Sequence, residues 1–303
     1  MVAKSMPTDA NPIMRGKTVV ITGATSGIGA IAAERLARLG ARIVMVARDV
    51  ARAEMTLAWL RAASPGVNHS VHYAELSRLA DMKRVGAEIA AAEPRIDVLI
   101  NNAGAVFSRR IITEDGLERT FALNHMSYFV MTEVLRDRLV ASAPARIINT
   151  ASNAHRRGHI DFDDLQSAHK KYRGSRVYGT SKLCNILFTR ELARRLAGQG
   201  VTANSFSPGF VATRFGNQAG GFASLALRIA KVLAAKSPEQ GAKTLVHLAS
   251  SPDVADVSGE FFYKSRLGKL TEEARDDDKA RRLWTESERI ARQTANGSGP
   301  DQV

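Results

Sequence analysis

Residues 17–40, KTVVITGATSGIGAIAAERLARLG, decide the fold. Lys17 to Thr22 is a short β-branched run that suits a strand. Gly23, Gly27 and Gly29 then make a turn, and from Ala30 apolar residues recur at helical spacing until Gly40 stops them. Glycines between a strand and a helix let the backbone approach a pyrophosphate, and the helix N-terminus supplies amides and a positive dipole end. Glycine-rich turns join many strands to helices, so it is the place of this one, opening a βαβ unit, that gives it meaning.

The same alternation continues along the chain. Strands are expected at 42–47, 71–76, 97–103, 145–152, 201–208 and 259–263, with helices at 49–63, 80–93 and 117–139 and another carrying Tyr178 and Lys182. Short apolar strands separated by helices predict a parallel sheet buried on both faces. The fold class is therefore α/β, a doubly wound, Rossmann-type parallel sheet of about seven strands. Residues 14–292 form one domain by this reading, and the polar ends, 1–13 and 293–303, read as flexible tails.

Composition bounds the setting. The 303 residues are 45% hydrophobic and 24% charged, which suits a globular chain with a large core. Cys184 is the only cysteine, so no intrachain disulfide can form, which fits a reducing compartment. The N-terminus lacks the apolar core of a signal peptide, and no apolar run approaches the ~18 residues that cross a bilayer. A cytoplasmic location is expected. The formal charge of +13, from 43 Lys and Arg against 30 Asp and Glu, is scattered and lacks a repeated basic and aromatic pattern. It reads as a solvated surface that a polyphosphate ligand uses in part, with no specific nucleic-acid partner. His155 and His159 lack a neighbouring carboxylate or thiol cluster and read as loop residues, so no metal site is expected.

Three further stretches carry chemistry. The second strand ends VMVARD, with Ala47 where a binder of NAD presents an acid to the ribose 2′-hydroxyl. Arg48 follows, and its planar fork of donors suits a 2′-phosphate, so the pattern favours NADP. NNAG, Asn101 to Gly104, closes the fourth strand with small residues at the sheet edge where open α/β sheets bind ligands. In VYGTSKLCNILF, Tyr178 precedes Lys182 by four residues, which places both on one helical face. A phenol ionises near ~10, and a neighbouring cation stabilises its anion.

TGATSGIG, NNAG, Asn124 in LNHMSYF, Ser152 in IINTAS, the Tyr178 and Lys182 pair and SPG at Ser207 to Gly209 together resemble the short-chain dehydrogenase/reductase family. The resemblance covers roughly residues 17–262, and SNAH, YGTSKLCNILFTRELARRL, SPEQGAKTLVHLA and RRLW look most like its retinol dehydrogenase branch. It implies that Tyr178 is the general acid/base, that Lys182 lowers its pKa and holds the nicotinamide ribose, that Ser152 polarises the substrate oxygen, and that Asn124 holds a water. It further implies an NADP site built from Gly23, Thr25, Ser26, Gly27, Ile28, Gly29, Arg48, Leu76, Asn102, Ala103, Gly104, Tyr178, Lys182, Pro208, Gly209, Val211 and Thr213. Glu75 stands where the family usually has an aspartate against the adenine.

The reading that results is an NADP-dependent oxidoreductase acting on a small hydrophobic alcohol or carbonyl, with a catalytically silent NADP(H) sensor or scaffold as the rival. In residues 213–237, Gly216, Gly220 and Gly221 supply a hinge, and Phe222, Leu225, Ile229, Val232 and Leu233 recur as one apolar stripe. A substrate lid over a hydrophobic substrate is the expected use of this segment, with a fixed helix and a weak membrane-surface contact as the alternatives. Family members often pair through the helices bearing Asn124 and Tyr178, which leaves a homo-oligomer open.

Overall fold

The computed structural model describes residues 12–209 and 238–292. Eight strands form one sheet in the order β3-β2-β1-β4-β5-β6-β7-β8. They are β1 (Thr18–Thr22), β2 (Arg42–Ala47), β3 (Ser70–Tyr73), β4 (Val98–Asn101), β5 (Ala145–Thr150), β6 (Val201–Ser207), β7 (Phe261–Tyr263) and β8 (Arg266–Leu267). All pair in parallel except β7 with β8. The described helices are α1 (Gly27–Arg38), α2 (Val50–Ala63), α3 (Leu79–Ala92), α4 (Ser127–Ala141), α5 (Gly174–Arg195), α6 (Pro238–Ser250) and α7 (Asp277–Arg292).

Because strand side chains alternate between faces, each strand feeds two cores. Val20, Val44, Leu99, Ile147 and Ala203 face α3, α4, α5 and α7. Val19, Ile43, Val98, Ile100 and Ile148 face α1, α2 and α6. The sequence order reverses at β1, which has β2 on one side and β4 on the other. At that switch point the glycine turn after β1 and the NNAG segment after β4 meet, as ligand sites of open α/β sheets require.

Three elements differ from the sequence-based expectation. The eighth strand is a two-residue antiparallel edge. The helix expected over 117–139 is broken: a helical turn, Arg119–Phe121, passes into a π-helical turn, Ala122–Met126, before α4 begins. Finally α7, whose apolar side comprises Ala280, Leu283, Trp284 and Ile290, seats on α4 and α5. Trp284 lies edge-on to Phe129 of α4 at 5.0 Å and stacks on Phe188 of α5 at 5.8 Å. α7 thus packs on the two helices, α4 and α5, that the pairing expectation concerns. Val211, Thr213, the 213–237 segment with its hinge and stripe, and the tails 1–11 and 293–303 lie outside the described residues.

Candidate active site

The turn after β1 is built by close backbone approach. Gly23 has φ +70°, and a side chain there would come within 2.8 Å of the Ala103 Cα. A Cβ on Gly29 would sit 2.3 Å from the Gly23 carbonyl oxygen, so only glycine lets α1 start there. Asn102 locks the second wall: its Nδ2 donates to the carbonyls of Thr22 and Gly23, both at 3.1 Å. The Thr22 hydroxyl accepts the amides of Asn102 and Ala103 at 2.9 and 3.0 Å. Ser26 precedes α1 without using its side chain as a cap, and Gly27 has φ +57°. Thr25 lies in the turn, Ile28 in the first turn of α1 buries its side chain in the core, and a Cβ on Gly104 would meet Asn124 Oδ1 at 3.0 Å. A cradle too narrow for side chains, rimmed by helix-start amides, fits a pyrophosphate-bearing dinucleotide.

At the end of β2, Arg48 and Glu75 face an open cleft of about 520 Å³ with Tyr73, Asp81 and Arg84. Arg48 is exposed but engaged: its Nη1 donates to Glu75 Oε2 at 3.1 Å. Arg119 approaches the same oxygen at 3.9 Å. The other Glu75 oxygen accepts from the Ser77 amide and hydroxyl. Burial pushes the Glu75 carboxyl up, but the hydrogen bonds from Ser77 and Arg48 outweigh it and hold the group below the usual carboxylate range. Both carboxylate oxygens of Glu75, the residue expected against the adenine, thus accept hydrogen bonds in the protein alone. Leu76 buries its side chain in the core.

The catalytic candidates converge at the carboxyl ends of β4 and β5. Asn124, in the π-helical turn, has its carboxamide fully bound: Oδ1 accepts from the Ala105 amide at 2.9 Å, and Nδ2 donates to the Ala105 carbonyl and to Ser181 Oγ, both at 3.0 Å. Ser152 ends the strand region, and its hydroxyl accepts from the Ala154 amide at 3.1 Å, opening a 3-10 turn. Lys182 is 2% exposed, and Nζ donates to the Thr150 carbonyl at 2.8 Å. The same ammonium lies 5.8 Å from the Tyr178 ring centroid and 5.2 Å from that of Tyr128.

The electrostatics differ from the simple expectation. Burial pushes the Tyr178 phenol up to about 12, opposed by a hydrogen bond with Ser152. Burial likewise drives Lys182 down to about 7. In the protein alone, desolvation dominates both groups, and Lys182 does not hold the phenol below its ordinary value. A lysine near neutrality beside a protonated tyrosine is a pair that exchanges charge readily, because each ion is stabilised by formation of the other.

Pro208 and Gly209 follow β6, with Gly209 at φ +83° and the Ser207 hydroxyl accepting its amide at 3.3 Å. A Cβ on Gly209 would touch the Tyr263 ring at 3.6 Å, so β7 backs this bend. Beyond it, Asn153, Arg156, Phe261, Tyr263 and Leu267 line a second cleft of about 450 Å³. His155, expected in an open loop, is buried, with Nδ1 2.7 Å from the Ser152 carbonyl. Among the described residues no group of three His, Cys, Asp or Glu could hold a metal ion. No described helix is long and apolar enough to cross a membrane. Arginines away from the site mostly find carboxylates, as Arg84 does with Asp81 and Glu88 and Arg195 with Glu191.

Sequence reading passes over one residue of this site. Asn185, one turn beyond Lys182, is fully buried and donates through Nδ2 to the Asn124 carbonyl at 2.8 Å and the Thr150 carbonyl at 3.2 Å. An asparagine inside an apolar helical run, three residues after the lysine, is the signal that could have found it.

The chain is similar to known proteins. A family profile described as short chain dehydrogenase matches residues 17–223. Human retinol dehydrogenase 13 (Homo sapiens) is 43% identical over 281 residues, covering 91% of this chain and 84% of that protein. Human retinol dehydrogenase 14 is 42% identical over 293 residues, with 91% and 86% covered. Among solved structures, an uncharacterised protein from Mycobacterium Paratuberculosis superposes with TM-score 0.74 at 30% identity, covering 91% of this chain and 94% of that one. A Beutenbergia cavernae protein named for NAD(P)-dependent gluconate 5-dehydrogenase activity, with NADP bound, gives TM-score 0.66 at 25% identity over 84% of this chain and 97% of its own.

Proposed function

Since the chain belongs to the short-chain dehydrogenase/reductase family and is similar to its retinol dehydrogenases, we propose that it is an NADP-dependent oxidoreductase acting on a hydrophobic alcohol, aldehyde or ketone. The observation that carries the reading is the meeting of Tyr178, Ser152 and Lys182 where β5 ends, beside the glycine cradle.

NADP(H), when bound, supplies or accepts the hydride. The turn from Gly23 to Gly29, with Thr25, Ser26 and Ile28, would hold its pyrophosphate, Asn102, Ala103 and Gly104 its ribose side, and Arg48 its 2′-phosphate. Pro208 and Gly209 would bend the chain around the nicotinamide; from outside the described residues, Thr213 would hydrogen-bond the cofactor's carboxamide or phosphates and Val211 would add a further cofactor contact. Tyr178, neutral because it is buried, donates a proton to a carbonyl oxygen during reduction and takes it back during oxidation. Ser152 donates a hydrogen bond to the same oxygen. Lys182, in its ammonium form beside the Tyr178 ring, stabilises the phenolate that the proton transfer leaves. Asn124 spans Ala105 and Ser181 and fixes the path by which Tyr178 regains its proton.

Support for NADP comes from Arg48 and Arg119 around Glu75 and from the absence of an acid at Ala47. Support for an apolar substrate comes from Phe261, Tyr263 and Leu267 beside Asn153. The lone, buried Cys184, its thiol pushed up by burial, suits the cytoplasmic setting we include in the proposal. A screen of aldehydes, ketones and alcohols with both cofactors, following absorbance of the reduced nicotinamide, tests the reading. NADPH binding without turnover on any of them would favour the sensor instead.

A further inference from the structure

Asn185, 0% exposed and one turn beyond the catalytic lysine, has no part in the chemistry just described. Asn185 Nδ2 donates to the carbonyls of Asn124 and Thr150, and the Thr150 carbonyl also accepts Lys182 Nζ at 2.8 Å. Lys182 and Asn185 therefore share one acceptor, and Asn185 alone joins it to the turn that carries Asn124.

His125, 0% exposed like Asn185, is anchored away from it. Burial pushes His125 down to about 4, so the ring is neutral. The Ser287 hydroxyl donates to the Leu283 carbonyl at 2.7 Å, so at 2.9 Å it accepts from Nε2–H of His125. His125 Nδ1 and Asn185 Oδ1 are buried without a hydrogen-bond partner, so the Asn185 carboxamide is held through Nδ2.

We infer that Asn185 is a positioning residue: through Nδ2 it holds the Asn124 and Thr150 carbonyls in register beneath Lys182. The catalytic consequence rests on the oxidoreductase reading above; the bridge itself does not.

Loss of Asn185 leaves the Thr150 carbonyl to Lys182 alone, which favours the ammonium and moves the lysine's titration to higher pH. The titratable groups that face Lys182 are Tyr178 from α5, Tyr128 from α4 and His125 from the π-helical turn. None is anionic near neutrality, so none masks that shift.

The test uses the full chain, with labelled lysine followed by NMR, and two variants, Asn185→Leu and Asn185→Ala. The expected result is a Lys182 titration raised by at least about half a pH unit in both. The kcat should fall at least about tenfold in Asn185→Leu, with its pH profile displaced and NADPH affinity unchanged. A merely structural loss would reduce the amount of active protein and leave that profile in place. Lys182 titrations and profiles that superimpose on the unmodified protein would overturn the inference. Should Asn185→Leu fail to fold, Asn185→Ala decides it. Absence of turnover in the unmodified protein would refute the oxidoreductase reading, and the two titrations would still judge the bridge.

Discussion

Lys182 donates from Nζ to the main-chain carbonyl of Thr150 across 32 residues of sequence, and this contact ties the chemistry of α5 to the end of β5. A strand end is a rigid anchor, so the lysine is placed by sheet register and its flexible stem has little say. With Ser152 two residues further on and hydrogen-bonded to the Tyr178 phenol, one strand terminus organises both the acid and the cation beside it.

Tyr178→Phe should abolish turnover and leave NADPH affinity nearly unchanged, because it deletes the proton donor and keeps the buried ring. Steady-state kinetics paired with a fluorescence titration separate the two effects. Retention of more than about a tenth of the rate would mean that another group is the acid, since general acid catalysis is worth roughly a hundredfold or more.

The Arg48 and Glu75 pair makes a prediction of two signs. Arg48→Ala should remove most of the preference for NADPH over NADH, a charge-assisted contact being worth about 1.5–3 kcal/mol, or roughly tenfold and more in affinity. Glu75→Gln should instead tighten NADPH, because the carboxylate now competes with a 2′-phosphate for the same guanidinium. NADH should barely respond. Equal affinities for the two cofactors in the unmodified protein would sink both halves.

What the sequence makes legible is what lies close together in it. The glycine turn, NNAG, and the spacing of Tyr178 and Lys182 are local patterns with local causes, and each stands where the pattern puts it. The Arg48 and Glu75 pair joins residues 27 apart from different strands, and no periodicity announces it. The β7–β8 turn carries Lys264 and Ser265 at positive φ with no glycine between them, so the usual hairpin signal is missing. The π-helical turn at Asn124 has no sequence signature at all. The seating of α7 was half legible: Leu283, Trp284, Ser287 and Ile290 recur at helical spacing, but only the fold shows that Phe129 and Phe188 receive them.

Trp284→Ala should destabilise the protein by ~3–5 kcal/mol, the usual cost of emptying a large buried aromatic site. Urea unfolding measures it. Release of α7 would also bare Phe129 and Phe188, so the variant should self-associate in light scattering at concentrations where the intact chain does not. A loss below about 1 kcal/mol would mean that α7 is not seated as described.

Lys182 also makes stability depend on pH, with the sign of acid denaturation but in a neutral to alkaline window. Its ammonium is buried, which lowers the group from 10.5 to about 7 in the folded chain. Between those two values the unfolded lysine carries a proton that the folded one has shed. The unfolded state then binds more protons, and folding stability rises with pH across that window. Below about 7 both states are protonated, and the full penalty of burying the charge remains. Lys182→Met removes the charge while keeping most of the stem, so without cofactor it should melt above the unmodified protein at pH 6. The difference should shrink steadily as the pH is raised to 10, where the unmodified lysine is neutral anyway. Tyr178 limits the range, since its phenol, held up at about 12, stabilises the folded state less as pH climbs beyond the ordinary tyrosine value. Melting temperatures of the two proteins at closely spaced pH values, free of NADP(H), test this; a gap that stays constant or widens with pH would show that the folded lysine keeps its proton.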